Sequence, residues 1–387
     1  MKKAIKYIGL YDNGKGNYKR ASNLAAMNKM NYVMKAINLS GFKVELISPS
    51  WVVNETDLIS WQKGTSEILE SENRIVYSPS LVSKMKVMKM LKYVITSFWL
   101  LKYLVFNTEK GETIFLYHSP FLALPVRIAR KIKKLNLVLE VEEIYNEVWE
   151  IPRFFKEEEE KIISIADNYI LVSDVLKERF KKQDSIVLYG SYNVVKSVKK
   201  KTNLNFKDYI NVVYVGSIDN TKNAAKNAVE MSKYLTGKYK VHILGYGTEE
   251  AVRDLKALIE KVNLELKREA CIFHGVKVGD ELTDFLNTCH IAVNPQHNGE
   301  YMNTAFPSKI LTYLSHNLKV VSTQIDSIKK SDISSLISFS ISDSPESISN
   351  SVMKVNIYDD QNTGEKIKQL NEDFIKNIGR LIEKGNL

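Results

Sequence analysis

Glycines follow the first predicted strand of the chain, in the polar segment 12–19. Gly14 and Gly16 would allow backbone N–H groups to approach an anion closely, and the start of the helix predicted next adds a favourable dipole. The spacing differs from the dinucleotide-binding pattern Gly-x-Gly-x-x-Gly, because Lys19 stands in place of the third glycine. The segment therefore indicates either a phosphate-binding loop or a plain polar turn, and it argues against a NAD or FAD site.

A second set of strand-end glycines lies in the other half of the chain. Gly216 and Ser217 end a predicted strand, and Lys222 precedes the predicted helix that follows. Gly245 and Gly247 form the next strand-to-helix turn. A lysine beside such glycines at the start of a helix suits a diphosphate, although each turn alone also needs glycine for its tight geometry. Together the two turns predict a nucleotide-diphosphate pocket.

Residues 303–323 form the most informative segment. Pro307 and Ser308 are a typical helix opening, and Lys309 lies in the first predicted turn. The exposed N–H groups of that turn and the lysine would both face an anion. A predicted strand at residues 319–322 returns after a short turn, so the segment is expected to present its polar start at a sheet edge.

Residues 84–107 combine a basic start with a long apolar and aromatic run. In one interpretation they form a helix that packs on the first sheet and turns its lysines to water. In the other, the segment lies at a membrane surface, where lysines meet anionic headgroups and aromatic side chains enter the lipid boundary. The second interpretation assigns these residues to the membrane: Lys84, Lys86, Lys89, Lys92, Phe98 and Trp99. The apolar run is too short, and interrupted by Lys102, for a transmembrane span.

Strand and helix patterns alternate along both halves of the chain. Residues 4–11, 21–39 and 43–47 read as strand, helix and strand, which is typical of a parallel sheet. The alternation restarts at residue 212, after a lysine-rich linker at 196–207. We therefore predict the α/β class with two doubly wound sheets. Ligands of such sheets bind at the carboxyl ends of the strands, and with two domains the natural site is the cleft between them.

The composition restricts the class of protein. With 387 residues, 44% of them hydrophobic, the chain is long enough for two folded domains. The net charge of +10 favours anionic partners, but no recognisable nucleic-acid-binding module is present. Cys271 and Cys289 lack zinc-site spacing and indicate two reduced thiols. The opening residues turn polar too early for a signal peptide, so we expect a cytoplasmic protein.

The ordered set of motifs resembles the nucleotide-sugar glycosyltransferases of GT-B fold, in particular the family 4 or group 1 bacterial enzymes. The resemblance covers most of the chain, and its pieces are residues 164–173, 189–192, 215–222, 244–247, 273–275, 280–288 and 306–323. It implies two Rossmann-like domains that face each other across a cleft. Residues 1–193 would bind the acceptor and residues 194–364 the nucleotide-sugar donor, and a final helix at 365–387 would pack back on the first domain.

The resemblance also assigns donor-binding roles. Gly14 and Gly16 would line the diphosphate, Lys222 would contact it, and Gly247 would lie near the nucleoside. Ser217 stands where many relatives carry an arginine. The full set of residues expected at the donor is Gly14, Gly16, Gly216, Ser217, Lys222, Gly245, Gly247, Thr304, Phe306, Pro307, Ser308, Lys309 and Thr312.

The chain departs from the family at a pair of glutamates that have seven residues between them. Thr304 and Thr312 occupy those two positions. In relatives, the second glutamate accepts hydrogen bonds from the ribose hydroxyls. A threonine makes only a neutral and shorter-reaching bond, which costs about 1–2 kcal/mol of donor affinity. The substitution raises the alternative that the chain binds a donor without catalysing transfer.

Three residues of the first half match positions that face the donor sugar in the family. Glu142 and Glu143 follow a predicted strand, where a carboxylate could bond sugar hydroxyls or bias the acceptor proton. A solvated acidic turn is the alternative. His118, at the end of the preceding strand, is a third catalytic candidate, with a structural role as its alternative.

The sequence thus predicts a hexosyltransferase-type glycosyltransferase. Its substrates would be a nucleotide-diphosphate sugar and a saccharide or lipid-linked saccharide of a bacterial surface polysaccharide, such as a capsule or lipopolysaccharide. The resemblance implies retention of configuration and no metal or other cofactor. The alternative function is an inactive accessory subunit that stabilises a partner enzyme, and a nucleotide-sugar epimerase is a third. We expect cytoplasmic or peripheral location at the inner face of the cell membrane, and no nucleic-acid partner.

Overall fold

The computed structural model describes residues 4–15, 19–53, 58–180, 185–193, 209–219, 223–297, 304–359 and 362–384. These residues form two compact units. The first unit draws on Met1–Val172, Leu176–Ser191 and Glu372–Leu387, and the second on Ser173–Val175 and Tyr192–Asn371. The final helix therefore begins in the second unit and ends in the first.

An eight-stranded sheet forms the centre of the first unit, in the order β10-β9-β8-β7-β1-β2-β5-β4. Neighbouring strands run parallel, except that β4 is antiparallel to β5. A separate antiparallel pair joins β3 to β6. The strands are β1 Ile5–Ile8, β2 Val44–Ser48, β3 Ser60–Gln62, β4 Thr65–Ile68, β5 Arg74–Tyr77, β6 Ser80–Val82, β7 Thr113–Tyr117, β8 Asn136–Val141, β9 Asn168–Leu171 and β10 Ser185–Val187.

Helices connect these strands, and their ends follow from local chemistry. The side chain of Asn23 caps α1 by accepting the N–H groups of Ala25 and Ala26. Pro120 opens α3, and Lys134 ends it in the left-handed conformation. The helices are α1 Leu24–Leu39, α2 Lys86–Asn107, α3 Pro120–Lys133, α4 Tyr145–Val148, α5 Arg153–Ile165 and α6 Asp174–Arg179.

The second unit is built on six parallel strands in the order β13-β12-β11-β14-β15-β16. Its strands are β11 Ile210–Ile218, β12 Tyr239–Gly247, β13 Cys271–Phe273, β14 Ile291–Asn294, β15 Lys319–Ser322 and β16 Ile337–Phe339. Its helices are α7 Ala224–Glu230, α8 Glu249–Leu266, α9 Gly279–Asn287, α10 Lys309–Ser315, α11 Asp326–Lys329, α12 Pro345–Lys354 and α13 Thr363–Lys384. Short 3-10 turns occur at Glu70–Glu72, Met231–Tyr234 and Ser334–Leu336.

Both sheets reverse their strand order once. In the first unit the chain progresses outward from β1 through β2 on one side and from β7 through β8 on the other. In the second unit the reversal lies between β11 and β14. Doubly wound sheets bind ligands where the order reverses, at the carboxyl ends of the strands. The prediction of an α/β fold with doubly wound sheets is confirmed, and the topology marks one place in each unit to examine.

The structure adds elements that the sequence pattern did not indicate. Residues 51–74 showed no clear pattern, yet β3, β4 and the start of β5 lie there. The strand β16 and the helices α6, α11 and α12 were also missed. Within the described residues, no helix combines the length and apolar composition that crossing a membrane requires.

Candidate functional site

In the first unit, the loop after β1 is tied in place by Asp12. Its carboxylate accepts the N–H groups of Gly14 at 3.2 Å and Arg20 at 2.9 Å, and the Arg20 guanidinium lies 3.5 Å from it. Asn13 N–H donates to the hydroxyl of Tyr77 at 3.1 Å. Gly14 has φ of +68°, a left-handed conformation that favours glycine. The predicted partner Gly16 lies outside the described residues, so the anion role of this loop stays a prediction.

Glu142 lies just past the end of β8 and pairs with a buried lysine. Lys29 Nζ donates to the Glu142 carboxylate and, at 2.9 Å, to the carbonyl of Leu188. About 26% of the Glu142 side chain is exposed. Lys29 thus fixes the position of the Glu142 carboxylate, which keeps part of its surface turned to solvent.

Glu140 lies inside β8 and is fully buried. The hydroxyl of Tyr7 donates to it, and its other carboxylate oxygen has no hydrogen-bond partner. Burial raises the pKa of Glu140 to about 7, although Lys29 opposes that shift. Glu140 therefore belongs to the interior of the unit, beneath the carboxylates that follow the strand.

Glu143 and His118 contact each other through the backbone. The carbonyl of Glu143 lies 3.0 Å from His118 Nδ1, and its carboxylate accepts Trp149 Nε1–H at 3.2 Å. His118 is only 2% exposed, and burial lowers its pKa to about 4. Its Nε2 lies 3.3 Å from a carboxylate oxygen of the buried Glu159. Glu142 and Glu143 thus reach the unit's surface, whereas the third catalytic candidate is enclosed.

In the second unit, Lys309 lies over the end of β11. Its Nζ is 4.2 Å from the ring centroid of Tyr214, and it would lie 3.1 Å from a Cβ placed on Gly216. Ser217 follows, and its hydroxyl donates to Asp219 at 2.6 Å. Gly216, Ser217 and Lys309 are therefore brought together at the reversal point of this sheet. Lys222 lies outside the described residues.

Gly245 and Gly247 are required by the approach of β12 to β11. A Cβ on Gly245 would lie 1.9 Å from the carbonyl oxygen of Gly216, and one on Gly247 would lie 2.3 Å from that of Ile218. No side chain fits at either distance. Strand packing alone accounts for both glycines, and contact of either with a nucleotide stays a prediction.

The segment before and within α10 packs its apolar residues and exposes its polar start. Phe306 and Pro307 are buried, Ser308 is exposed, and the carbonyl of Thr304 accepts the hydroxyl of Ser173 at 2.6 Å. Thr312 is half-buried on α10. The arrangement leaves Ser308 accessible at the amino end of the helix and Thr312 partly so.

Sequence reasoning missed three groups that position these residues. Lys29 lies on the buried face of α1, where a charged residue among apolar neighbours was the available signal. Glu159 belongs to a run of four glutamates on α5, and such a run gives no sign of which carboxylate is buried. Tyr313 accepts the N–H of Val215 through its hydroxyl at 2.8 Å and so joins α10 to β11. Among the described residues, no His, Cys, Asp and Glu side chains form a group of three that could hold a metal.

The predicted membrane segment forms the helix α2, and most of its candidates are exposed. Lys84, Lys86 and Lys89 face solvent, and Phe98 is 69% exposed. Two candidates differ from expectation. Lys92 is buried, because it shares the inward face with Thr96, Leu100 and Leu104. Trp99 is half-buried and stacks on Tyr103, with ring centroids 5.0 Å apart.

Comparisons with known proteins give a family match within the second unit and structures of similar fold. Residues 209–355 match the family model for glycosyl transferases group 1. A comparison with curated proteins found no match. The structure is similar to that of a trehalose-6-phosphate protein from E. coli bound with UDP-2-fluoro glucose, with 10% identity, a TM-score of 0.64, and coverage of 97% of this chain and 99% of the other.

Two further solved structures align over nearly the whole chain. Sucrose-phosphate synthase from Thermosynechococcus elongatus shares 12% identity, with a TM-score of 0.66 and coverage of 99% and 98% of the two chains. An α,α-trehalose 6-phosphate synthase from Burkholderia multivorans shares 10% identity, with a TM-score of 0.63 and coverage of 100% and 98%. At these identities the likeness concerns the fold, which is GT-B.

Proposed function

We propose that this chain, which has a GT-B fold and a group 1 glycosyl transferase domain at residues 209–355, transfers a sugar from a nucleotide-diphosphate donor to a saccharide or lipid-linked saccharide. The observation that carries the proposal is where the family match falls. It covers the unit in which Gly216, Ser217 and Lys309 converge at the reversal point of a doubly wound sheet.

The second unit supplies groups suited to a leaving nucleoside diphosphate. Negative charge develops on the diphosphate as the bond to the sugar breaks, and fixed positive groups stabilise that charge. Lys309 provides one such group, and the backbone at the end of β11 and Lys222 would provide others. We propose that these groups act without a metal and that the acceptor hydroxyl attacks on the leaving-group face, with retention of configuration.

The first unit offers carboxylates suited to a sugar. Glu142 accepts a bond from Lys29 and Glu143 accepts one from Trp149, so both carboxylates can accept bonds from hydroxyl groups as well. We propose that they orient the donor sugar or the acceptor. The solved structures of similar fold include synthases of sucrose phosphate and trehalose 6-phosphate, which supports a saccharide as the acceptor class. We propose that the transferred sugar becomes part of a surface polysaccharide.

Donor binding can be tested with Lys309→Gln. UDP and other nucleoside diphosphates should raise the melting temperature of the wild-type chain, because a ligand that binds only the folded state stabilises it. Loss of one charge-assisted contact should weaken the affinity about tenfold or more. Lys261→Gln is the matched control, because Lys261 is exposed on α8 toward the opposite edge of the same sheet.

The same assay separates the possible outcomes. Stabilisation by a nucleoside diphosphate that is weakened in Lys309→Gln and unchanged in Lys261→Gln supports the donor site. Release of sugar from a nucleotide-sugar donor, followed by transfer to supplied acceptors, supports catalysis. A wild-type chain that no nucleoside diphosphate stabilises would contradict the proposal.

A second candidate function is an inactive accessory subunit. Thr304 and Thr312 favour it, because both stand where catalytic relatives carry glutamates and neither can supply a charge-assisted bond. Donor binding without turnover, in the presence of acceptor, would favour this second function. If Thr312 lies beside the donor ribose, Thr312→Glu should supply a charged acceptor for the ribose hydroxyls and increase donor affinity.

We also propose that α2 attaches the protein to anionic membranes. On the side away from the buried face, Val87, Leu91, Val94 and Phe98 are exposed at helical spacing. Lys84, Lys86 and Lys89 border the start of this apolar stripe. An apolar stripe beside lysines suits the boundary of an anionic bilayer.

Vesicle co-sedimentation tests this attachment. The wild-type chain should sediment with vesicles that contain phosphatidylglycerol and much less with pure phosphatidylcholine. Val94→Asp with Phe98→Asp should abolish binding to both. Leu264→Asp is the control, because Leu264 is 78% exposed on α8 of the second unit. Equal and negligible sedimentation with both vesicle types would contradict the attachment.

A further inference from the structure

The segment that follows β8 is anchored by a buried carboxylate on α5. Glu159 is fully buried, and its two oxygens accept the N–H groups of Tyr145 at 2.7 Å and Asn146 at 2.8 Å. These N–H groups begin α4, so they lack partners within that short helix. A carboxylate that satisfies both of them fixes the position at which the chain enters α4.

His118 holds the same segment one step earlier. Its Nδ1 lies 3.0 Å from the carbonyl of Glu143. A carbonyl only accepts hydrogen bonds, so Nδ1 must carry a hydrogen. The ring also packs edge-on against Tyr145, with centroids 5.6 Å apart. The backbone on both sides of Ile144 is therefore held by groups from outside the segment.

The two anchors also contact each other. His118 Nε2 lies 3.3 Å from Glu159 Oε1, and both side chains are almost completely enclosed. Nδ1 carries the ring hydrogen and Glu159 accepts from backbone N–H groups, so His118 Nε2 has no hydrogen-bond partner in this contact. The two side chains therefore pack against each other, which places the end of β7 beside α5 next to residues 142–146.

We propose that His118 and Glu159 are positioning residues that together hold residues 142–146 and thereby set the directions of the Glu142 and Glu143 carboxylates. The inference depends on the proposed function in one respect, namely that the two carboxylates bind a sugar. In this arrangement Nδ1 of His118 bonds the Glu143 carbonyl and the ring is enclosed, so the imidazole acts through Glu143 and not on a substrate. This role corresponds to the structural alternative for His118 and not to the catalytic role that the sequence also allowed.

The support itself can be measured without any substrate. Hydrogen–deuterium exchange should be monitored in peptides that cover residues 142–149. His118→Phe keeps a ring but loses both nitrogens. Glu159→Gln loses one of the two oxygens that accept the N–H groups of Tyr145 and Asn146. Each substitution should raise exchange in these peptides about tenfold. Glu158→Gln is the matched control, because Glu158 is buried on the same helix but pairs with Arg127 and Lys161 instead. Unchanged exchange in both test variants would overturn the proposal.

A conservative variant separates positioning from chemistry. His118→Asn places an N–H group near the position of Nδ1 and can still donate to the Glu143 carbonyl. If His118 only positions, His118→Asn should recover most of the kcat that His118→Phe loses, while the KM for the donor stays unchanged in both. An Asn variant as inactive as the Phe variant, with wild-type exchange, would overturn the proposal in favour of direct chemistry.

The two hypotheses fail in different ways. A wild-type chain that turns over no nucleotide sugar would count against the proposed function, and the exchange measurement would still decide the positioning role. Variants that do not fold would be recognised by increased exchange throughout the first unit, and His118→Asn is then the informative one. Increased exchange confined to residues 142–149 supports the proposal.

Discussion

Lys29 lies among the acidic residues around the end of β8. It is buried, yet it donates both to Glu142 and to the carbonyl of Leu188. A buried cation is stable only with such partners, and its partners in turn depend on it. The two neighbouring glutamates differ in their surroundings: Glu142 pairs with Lys29 near the surface, whereas burial raises the pKa of Glu140 inside the sheet.

The titration of Glu140 should make stability depend on pH. Burial raises its pKa from 4.5 to about 7, so between these values the folded chain holds a proton that the unfolded chain releases. The free energy of unfolding should therefore fall as the pH rises through this window. Glu140→Gln cannot titrate, and its stability should change less than that of the wild type between about pH 4.5 and about pH 7.

Urea unfolding at several pH values in this window measures the difference. Glu260→Gln is the control, because Glu260 is exposed on α8 and should leave the slope as it is in the wild type. An unchanged slope in Glu140→Gln would mean that Glu140 is ionised in the folded chain throughout the window.

Gly245 should be intolerant of any side chain, with or without a ligand. A Cβ there would overlap the carbonyl oxygen of Gly216, a backbone atom that cannot rotate away. Gly245→Ala should therefore lower the free energy of unfolding by about 3 kcal/mol, as overpacking does. Gly237→Ala is the control, because a Cβ at Gly237 meets nothing within 4 Å and should leave stability nearly unchanged.

Chemical denaturation of the two alanine variants decides between packing and ligand contact. A stable Gly245→Ala variant that had lost only donor binding would show that the nucleotide, and not the neighbouring strand, requires the glycine. A lower stability of Gly245→Ala would show instead that the packing of β12 against β11 requires the glycine.

At the level of elements, the strands of both sheets were the most predictable features. Continuous apolar runs such as 291–294 and 319–322 coincide with β14 and β15, because strands buried on both faces need apolar residues throughout. Strand β4 escaped notice because it lies at a sheet edge with mostly exposed polar residues. Its partner β5 is short and begins with an exposed arginine.

The site was only partly predictable for a related reason. Loops that follow strands can be located from the pattern, and Glu142, Gly216 and Lys309 were found in this way. The groups that support them come from other elements: Lys29 from α1 and Glu159 from α5. A sequence pattern reveals which face of a helix is buried but not which partner a buried charge meets. His118 was assigned to chemistry because its enclosure by Glu143 and Glu159 is a tertiary feature.

The last helix, α13, should stabilise the first unit through its second half. Phe374 is almost fully buried and stacks on Tyr32 of α1, with ring centroids 5.6 Å apart. Phe374→Ala removes a large buried ring and should cost about 3–5 kcal/mol. Lys376→Ala, an exposed change on the same helix, should cost little.

Hydrogen–deuterium exchange in α1 locates the effect of these two variants. Phe374→Ala should raise exchange in peptides from residues 24–39, while Lys376→Ala leaves it unchanged. Equal exchange in both variants would show that α1 is held by the sheet alone.

For the whole molecule, the structural likeness to sucrose- and trehalose-phosphate synthases extends over nearly the full chain, although only 10–12% of the residues are identical. Many sequences satisfy the apolar pattern of a parallel sheet, so the fold is retained after most side chains have changed. The choice of substrate then depends on few residues at the strand ends. The net charge of +10 includes two groups with separate proposed tasks, Lys309 at the donor and the lysines that begin α2.

A nucleoside diphosphate alone should act on the second unit. The proposed contacts, Lys309 and the strand end at Gly216, all belong to that unit, and none requires the sugar or the acceptor. Saturating UDP should therefore slow hydrogen–deuterium exchange in peptides that cover residues 210–219 and 304–315. At about 100-fold excess over Kd, the added stability of about 2.7 kcal/mol corresponds to roughly a hundredfold slower opening of the folded unit. Lys309→Gln should lose most of this protection at the same UDP concentration, and Lys261→Gln should keep it. Protection of residues 113–149 alone would instead assign the nucleotide to the first unit.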